Sequence, residues 1–411
     1  MRRVVITGLG AVTPIGNNVS KTWENAKNGV CGVDNITYFD TSDFKVKLAA
    51  EVKNFDSSLI IGKQEVRKLD RFVEFAIVAA KEAYDDAKLN SDEIDNFRFG
   101  VSVSSGIGGL QTIEETANKL KESGPSRISP HFIPKVLTNL AAGNVAIQLG
   151  AKGVCHSVVT ACAASTDAIG TAYHHIRNGV ADIMIAGGAE ASITRLGIAG
   201  FSIIKAVSES TDITRASIPF DKERNGFVMG EGAGMLILET LESAKKRGAH
   251  IYAEIVGYGA TCDAYHVTAP HELGEGATRA MLTAINEAQI TPCNIDYINA
   301  HGTSTPLNDK IETIAVKNAF KNNYESILMS STKSMTGHML GAAGAVEAIL
   351  TIKSLESNCV LPTINSNVWD EACDLDYIFT TGRNKPLKYV MSNSLGFGGH
   401  NASIIFKKWA Q

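Results

Sequence analysis

The sequence lacks the features that would assign it quickly. It has no excess of either charge: 39 Lys and Arg against 43 Asp and Glu leave a net charge of −4 over 411 residues, so no broad basic field is present for nucleic acid. It has no C-x-x-C pair. Its seven cysteines, at 31, 155, 162, 262, 293, 359 and 373, are odd in number and scattered, which excludes a zinc knuckle and a disulfide framework and favours a reducing, cytoplasmic setting. No apolar run reaches 18 residues, so no membrane-spanning helix is expected, and the opening Met1-Arg2-Arg3-Val4-Val5-Ile6-Thr7-Gly8 reads as a first buried strand, not a signal peptide. With 44% apolar and 20% charged residues the composition is that of an ordinary globular chain, which excludes disorder. The length corresponds to roughly two to three units of about 150 residues.

Short β-branched runs alternate with helical stretches: Arg3 to Thr7, Phe99 to Val103, Ser157 to Thr160, Asp182 to Ala186 and Asp296 to Ala300 read as strands. That alternation predicts an α/β layered fold with largely parallel strands. A helix is expected over Thr240 to Arg247, with Lys245, Lys246 and Arg247 in its last turn and Gly248 as the stop. A new strand series begins at Ile251, so two halves are expected, 1–250 and 251–411. Aligning the segment from Ala161 to Ile169 with that from Gly337 to Ala345 superposes two small-residue helix starts. A duplicated fold would then put Cys162 and His338 at equivalent turns.

Two motifs mislead. Gly8-Leu9-Gly10-Ala11-Val12-Thr13 follows a strand as a dinucleotide fingerprint does, but Thr13 stands where the third glycine is needed. Asp56-Ser57-Ser58-Leu59 imitates a phosphopantetheine attachment site without a carrier domain around it, and reads as a polar turn.

The strongest signal is Val158-Val159-Thr160-Ala161-Cys162-Ala163-Ala164-Ser165, where a strand gives way to a helix at a cysteine. A thiol at a helix N-terminus is expected to have a lowered pKa and to act as a nucleophile, alkylating faster than the other six. A second strand delivers His301 ahead of Gly302-Thr303-Ser304-Thr305-Pro306. A third runs into Thr332-Lys333-Ser334-Met335-Thr336-Gly337-His338, and near the end stands the turn Gly396-Phe397-Gly398-Gly399. Three reactive groups at the ends of strands in an α/β sheet are expected to converge on one site.

Together, Thr160-Ala161-Cys162, His301-Gly302-Thr303-Ser304-Thr305, Lys333-Ser334-Met335-Thr336-Gly337-His338 and Gly396-Phe397-Gly398-Gly399-His400-Asn401 resemble the β-ketoacyl-[acyl-carrier-protein] synthases of the Cys-His-His condensing class. The resemblance covers essentially the whole chain. Within the class it is most similar to the synthase II branch of type II fatty acid synthesis, on Ser105-Gly106-Ile107-Gly108-Gly109. It implies a thiolase-like fold of two duplicated halves in five layers, α-β-α-β-α, and a homodimer. It further implies that Cys162 holds an acyl chain, that the N–H groups of Cys162 and Phe397 form an oxyanion hole, and that His301 and His338 stabilise the enolate of a decarboxylated malonyl group. Lys333 belongs to the same network. Thr303 and Thr305 are expected to bind the phosphopantetheine arm, Ile107 to border the acyl tunnel, and Phe397 to act as a gate. His400, often threonine in relatives, receives no role.

The expected partners are acyl- and malonyl-acyl-carrier proteins. Candidates for docking an acidic carrier are Arg67, Lys68 and Arg71, taken as one helical face, with Arg127 and Lys205. With no transferase or carrier domain after Phe406 to Gln411, carrier and malonyl loading are expected from separate proteins. No cofactor or structural metal is expected, and a monovalent cation stays open. The competing readings are a discrete polyketide ketosynthase, a thiolase, which would want a second catalytic cysteine, and a non-catalytic chain-length factor, which would lack the nucleophile.

Overall fold

A computed structural model describes residues 1–410. The first strand, β1 (Val4–Val12), is buried along its whole length, as an unbroken small and apolar run must be when covered on both faces. There follow α1 (Arg71–Asp86), β2 (Phe99–Ser104), α2 (Leu140–Leu149), β3 (Cys155–His156), α3 (Ala164–Arg177), β4 (Ile183–Glu190) and β5 (Gly232–Thr240). A second series repeats that order: β6 (Ala253–Cys262), α4 (Glu275–Glu287), β7 (Tyr297–Asn299), α5 (Pro306–Phe320), β8 (Leu328–Ser330), α6 (Ala343–Ser357), β9 (Tyr389–Gly396) and β10 (His400–Lys408).

The spatial order is β3-β2-β4-β5-β1 in the first half and β8-β7-β9-β10-β6 in the second, so every strand has a counterpart five numbers on. α1 and α2 cover the outer face of the first sheet, and α4 with α5 cover that of the second. Between the sheets lie α3, packed on β2 and β4, and α6, packed on β5 and β9. The result is the five-layer thiolase-like fold. The two sheets also join edge to edge, because Val4, Val5 and Ile6 pair antiparallel with Ile255, Glu254 and Ala253. One core cluster accordingly contains residues of both halves, among them Ile6, Leu236, Ile255 and Ile404.

Gly8-Leu9-Gly10 has a packing role. A Cβ at Gly8 would lie 2.2 Å from the carbonyl of Ala83, and one at Gly10 would lie 1.9 Å from that of Ala79, so helix α1 rides directly on β1. The second half repeats the device, with Gly257 and Gly259 of β6 equally close, at 2.1 Å, to the carbonyls of Ala284 and Ala280 on α4. Asp56-Ser57-Ser58-Leu59, expected as a polar turn, instead enters a one-turn helix, Ser58–Ile61, at whose start the Asp56 carboxylate accepts the Ser58 N–H at 2.9 Å.

Four expectations change in detail. The strands are not largely parallel: β1 pairs antiparallel with β5 and β6, β5 with β4, and β10 with β6 and β9. Ser157 to Thr160, expected as a strand, is irregular; the strand lies just before it, at Cys155–His156, at the sheet edge with β2 as its neighbour. The duplicated turns align three residues away from the sequence-based register. Single 3-10 turns at Ala161–Ala163 and Leu340–Ala342 precede α3 and α6, each entered through a left-handed residue, Ala161 at φ 51° and Leu340 at φ 46°. Cys162 is therefore the counterpart of Gly341, and His338 is the counterpart of Val159. The helix between the halves is Leu241–Lys246, capped by the Thr240 hydroxyl, which accepts the Ser243 N–H at 3.1 Å.

Candidate active site

The turn that carries Cys162 is fixed from both sides. On α3, buried Asp167 accepts the Thr160 hydroxyl at 2.5 Å and the Tyr258 hydroxyl at 2.6 Å. Across the turn runs the β9–β10 hairpin, and a Cβ at Gly396 would lie 2.7 Å from the Thr160 carbonyl and 3.3 Å from the Cys162 nitrogen. That close approach brings the backbone N–H groups of Cys162 and Phe397 onto the Cys162 sulfur, where two converging donors can stabilise negative charge. The hairpin turn is anchored by the Gly398 N–H on the Val267 carbonyl, at 2.6 Å, and by the Asp263 N–H on the Gly399 carbonyl, at 2.9 Å.

The thiol differs from the sequence-based expectation. Burial pushes its pKa up to about 12, against the Lys333 charge and the two N–H groups, which pull it down. Desolvation outweighs the helix start because the sulfur is enclosed by apolar side chains of Ile198, Phe227 and Leu340. The resting group is a thiol, and it needs a base.

Two imidazoles stand ready. His301 follows β7, and the backbone N–H groups of His301 and Gly302 each donate to Glu312 of α5 at 2.8 Å. Burial pushes the Glu312 carboxyl up to about 7. His338 is held like a strand residue beside Met229, its N–H on the Val228 carbonyl at 2.7 Å and its own carbonyl accepting the Gly230 N–H at 2.9 Å. The two rings are nearly perpendicular, at 85°, with centroids 5.2 Å apart. Burial first, then the Lys333 charge, hold both imidazoles well below their ordinary pKa, so both are neutral at pH 7. Lys333 is 1% exposed and paired with buried Glu347.

A cavity of about 330 Å³ is lined by Cys162, His301, Thr303, Thr305, His338 and Phe397. Thr305 also caps α5, accepting the Asn308 N–H at 3.3 Å, and its hydroxyl lies 3.0 Å from that of Thr303. Ile107 packs beside Cys162 in the apolar cluster that also holds Phe201, Phe227 and Leu340. His400 lies across from Cys262 at the hairpin root and faces Asp167. A larger, charged cavity of about 670 Å³, lined by Arg2, Asp86, Asp182 and Arg247, opens at the start of β4, away from this chemistry.

Among the basic candidates, Lys205 is exposed at the cavity mouth. Arg67, Lys68 and Arg127 are exposed elsewhere on the surface. Arg71 is a correction: its guanidinium donates to buried Glu231 at 2.8 Å and to the Tyr38 hydroxyl at 2.7 Å and stacks on Phe75, so it is a structural ion pair. The three do not share a helical face either, because a short helix ends at Val66 and α1 starts anew at Arg71 behind the Asp70 cap.

Sequence reasoning missed the buried acids Glu190, Glu312 and Glu347. Glu312 stands eleven residues after His301, about two turns into α5, a spacing without a known motif. Among the described residues no group of three His, Cys, Asp or Glu could hold a metal ion. The buried oxygens Asn299 Oδ1, Ser392 Oγ and Glu347 Oε2 have no protein partner, and Asn299 and Ser392 are in register on adjacent strands. This hard, all-oxygen set fits a monovalent cation.

Comparison with known proteins agrees with this geometry. Residues 1–244 match the family described as beta-ketoacyl synthase, N-terminal domain, and residues 252–367 match beta-ketoacyl synthase, C-terminal domain. A 3-oxoacyl-[acyl-carrier-protein] synthase 2 of Staphylococcus aureus (strain COL) is 52% identical over 99% of each chain. A protein of the same name from Synechocystis sp. is 49% identical over 99% of this chain and 98% of its own. Among solved structures, a beta-ketoacyl synthase from Burkholderia phymatum superposes with a TM-score of 0.93 at 37% identity, and a type II polyketide ketosynthase in complex with its acyl-carrier protein does so at 0.92 and 37%; each covers the whole of both chains.

Proposed function

The chain belongs to the beta-ketoacyl synthase family, and from that membership we propose a reaction path for this acyltransferase, which elongates fatty acyl chains by two carbons through decarboxylative condensation. The acyl thioester of a carrier protein reaches Cys162 through the cavity. As the thiol sulfur attacks the carbonyl carbon, its proton passes to a neutral imidazole, and the oxyanion is held by the N–H groups of Cys162 and Phe397. Collapse expels the pantetheine thiolate, which takes the proton. A malonyl thioester then enters, with Thr303 and Thr305 toward the amides of its arm.

Loss of carbon dioxide leaves its electron pair on the thioester as an enolate. Two neutral N–H donors, from His301 and His338, stabilise that charge without first giving up a proton. The enolate carbon attacks the Cys162 acyl carbonyl, the oxyanion hole serves again, and the thiolate of Cys162 leaves as the 3-oxoacyl product forms, then takes a proton from solvent to restore the thiol. Lys333 adds to burial in keeping both imidazoles neutral, and Phe397 gates the thiol from its position beside Phe201, with ring centroids 6.3 Å apart. A hard cation would be held by Asn299, Ser392 and Glu347 and would supply positive charge beside the Lys333–Glu347 pair.

The observation that carries this path is the meeting of Cys162, both imidazoles and the Phe397 N–H in one cavity. The intact nucleophile disfavours a chain-length factor. Exposed Lys205 at the mouth, with Arg67, Lys68 and Arg127, supports docking of an acidic acyl- or malonyl-carrier protein. The free outer side of β3, flanked by exposed Val159 and Ile147, supports a homodimer in which a second copy extends the sheet. No helix is long and apolar enough to cross a membrane, and seven free cysteines support a reducing cytoplasm. Residues 1–250 and 251–411 serve as the two halves.

The test mixes the protein with acyl- and malonyl-carrier proteins and reads the product by mass. A 3-oxoacyl-carrier two carbons longer is expected. Cys162→Gln should abolish it while still releasing carbon dioxide from malonyl-carrier, whereas His301→Ala and His338→Ala should lower that release by about 10²- to 10³-fold. A folded Cys162→Gln that releases none, beside histidine variants at the native rate, refutes the division of roles.

A further inference from the structure

Glu190 closes β4 as a fully buried carboxylate whose five hydrogen-bond donors are all neutral. Oε2 accepts the Gly106 N–H at 2.8 Å and the Gly341 N–H at 3.0 Å. Oε1 accepts the hydroxyls of Ser105 at 3.0 Å and Ser192 at 3.1 Å, with the Ile107 N–H at 3.3 Å. A buried charge is tolerated only when saturated in this way, and its donors are correspondingly fixed.

Those donors belong to the working parts of the site. Ser105 to Ile107 form the loop that carries Ile107 into the apolar cluster around Cys162. Gly341 belongs to the turn that supplies Leu340 to the same cluster and lies three residues beyond His338. The approach excludes side chains: a Cβ at Gly106 would lie 2.8 Å from the carboxylate, and one at Gly341 would lie 2.8 Å from it and 2.2 Å from the Gly106 nitrogen. One carboxylate of the first half thereby pins a turn of the second half against the loop of Ile107.

We propose that Glu190 is a positioning residue that sets acyl chain-length selectivity, by fixing Ile107 and Leu340 in the apolar cluster that holds Cys162, where they limit the acyl chain, and that also holds the turn following His338. The proposal rests on Cys162 being the acyl-bearing thiol and on Ile107 bordering the chain. Glu190→Gln separates the two effects. Its amide oxygen can keep the Gly106 and Gly341 N–H groups, and its NH₂ can donate to the Ser105 and Ser192 hydroxyls, which turn to accept. The Ile107 N–H alone then faces a donor and is released. Glu190→Ala strips all five donors.

The experiment measures kcat/KM for acyl-carrier proteins of graded chain length, beside carbon dioxide release from malonyl-carrier and thermal unfolding. Glu190→Gln is expected to keep native carbon dioxide release while shifting the long-to-short chain kcat/KM ratio by about tenfold toward longer chains, the scale on which apolar pockets discriminate. Glu190→Ala is expected to lose both activities. A folded Glu190→Gln with the native chain-length ratio overturns the proposal. Should that variant fail to fold, Ser105→Ala decides, because it loosens the same loop, where Ser105 also accepts the Gly108 N–H at 2.9 Å, and leaves Gly341 alone; an unchanged ratio there overturns the proposal equally. A native protein that makes no 3-oxoacyl product with any carrier instead overturns the functional reading beneath it.

Discussion

Lys333 acts on all three reacting groups, pulling the Cys162 thiol and both imidazoles down. Lys333→Met keeps most of the side chain's length and removes its charge. Glu347 then loses its ion-pair partner in a fully buried place, a change that costs about 3–5 kcal/mol in comparable pairs. Each imidazole loses one of the causes holding it low, so its pKa rises, although burial, the larger cause, still keeps it below the ordinary value. A charge a few ångströms beyond contact, at an effective dielectric of about 20, is worth about 1–3 kcal/mol, or about one to two pH units. The sign follows from the neutral imidazole being the active form. In the native protein carbon dioxide release should stay flat as pH falls below 7, because both imidazoles are held well below their ordinary pKa; in Lys333→Met its acid limb should move upward. Lys333→Met/Glu347→Leu removes both charges and should recover most of the lost stability while keeping the displaced limb. The assay is carbon dioxide release from labelled malonyl-carrier across pH, with thermal unfolding of each variant alongside. A limb that stays in place or moves down in the folded single variant refutes the electrostatic role given to Lys333.

Because the Cys162 thiol is pushed up to about 12, exposed Cys262 and Cys293 should be alkylated by iodoacetamide before it at pH 7, and the Cys162 rate should climb about tenfold per pH unit between 7 and 9. Peptide mapping that finds Cys162 modified first, with a rate levelling below pH 8, would show that the helix start outweighs burial. Arg71→Ala should lower the unfolding temperature by stranding the buried Glu231, a loss of about 3 kcal/mol, and leave KM for carrier protein near native. Arg67→Glu with Lys68→Glu should do the reverse, and a carrier KM sensitive to Arg71 but not to this pair would reject the assigned docking face.

What was legible in the sequence follows from where the physics is local. A cysteine at a strand-to-helix change, a histidine after a β-branched run and a glycine-rich hairpin each announce themselves within ten residues, and all of them reach one cavity. The acids that hold them do not. Glu190 is recognisable only once Gly106 and Gly341, 235 residues apart in sequence, have been folded onto it, and Glu312 only once α5 lies under β7. The same reason explains the misplaced Arg71, whose spacing from Arg67 and Lys68 suits a single helix until the Asp70 cap is seen to begin a new one. The thiol pKa was misjudged because a helix start is visible locally, whereas the apolar wall comes from Ile198, Phe227 and Leu340, far along the chain.

Duplication gives the site its division of labour. The two 3-10 turns touch each other between the sheets and carry the same left-handed entry residue, so backbone geometry at Cys162 and Gly341 is equivalent although their chemistry is not. In the first half that position bears the sulfur, and its own N–H points at that sulfur, as the proposed oxyanion role requires. In the second half it must be glycine, because its N–H is given to Glu190 and any Cβ would collide with the Gly106 nitrogen. The displaced reactive group of the second half is His338, three residues earlier, where a strand-like segment can turn an imidazole toward the sulfur's cavity. In the proposed path, one turn geometry used twice thus supplies the nucleophile with its oxyanion donor on one side and, on the other, the Glu190-held turn behind the proposed enolate donor.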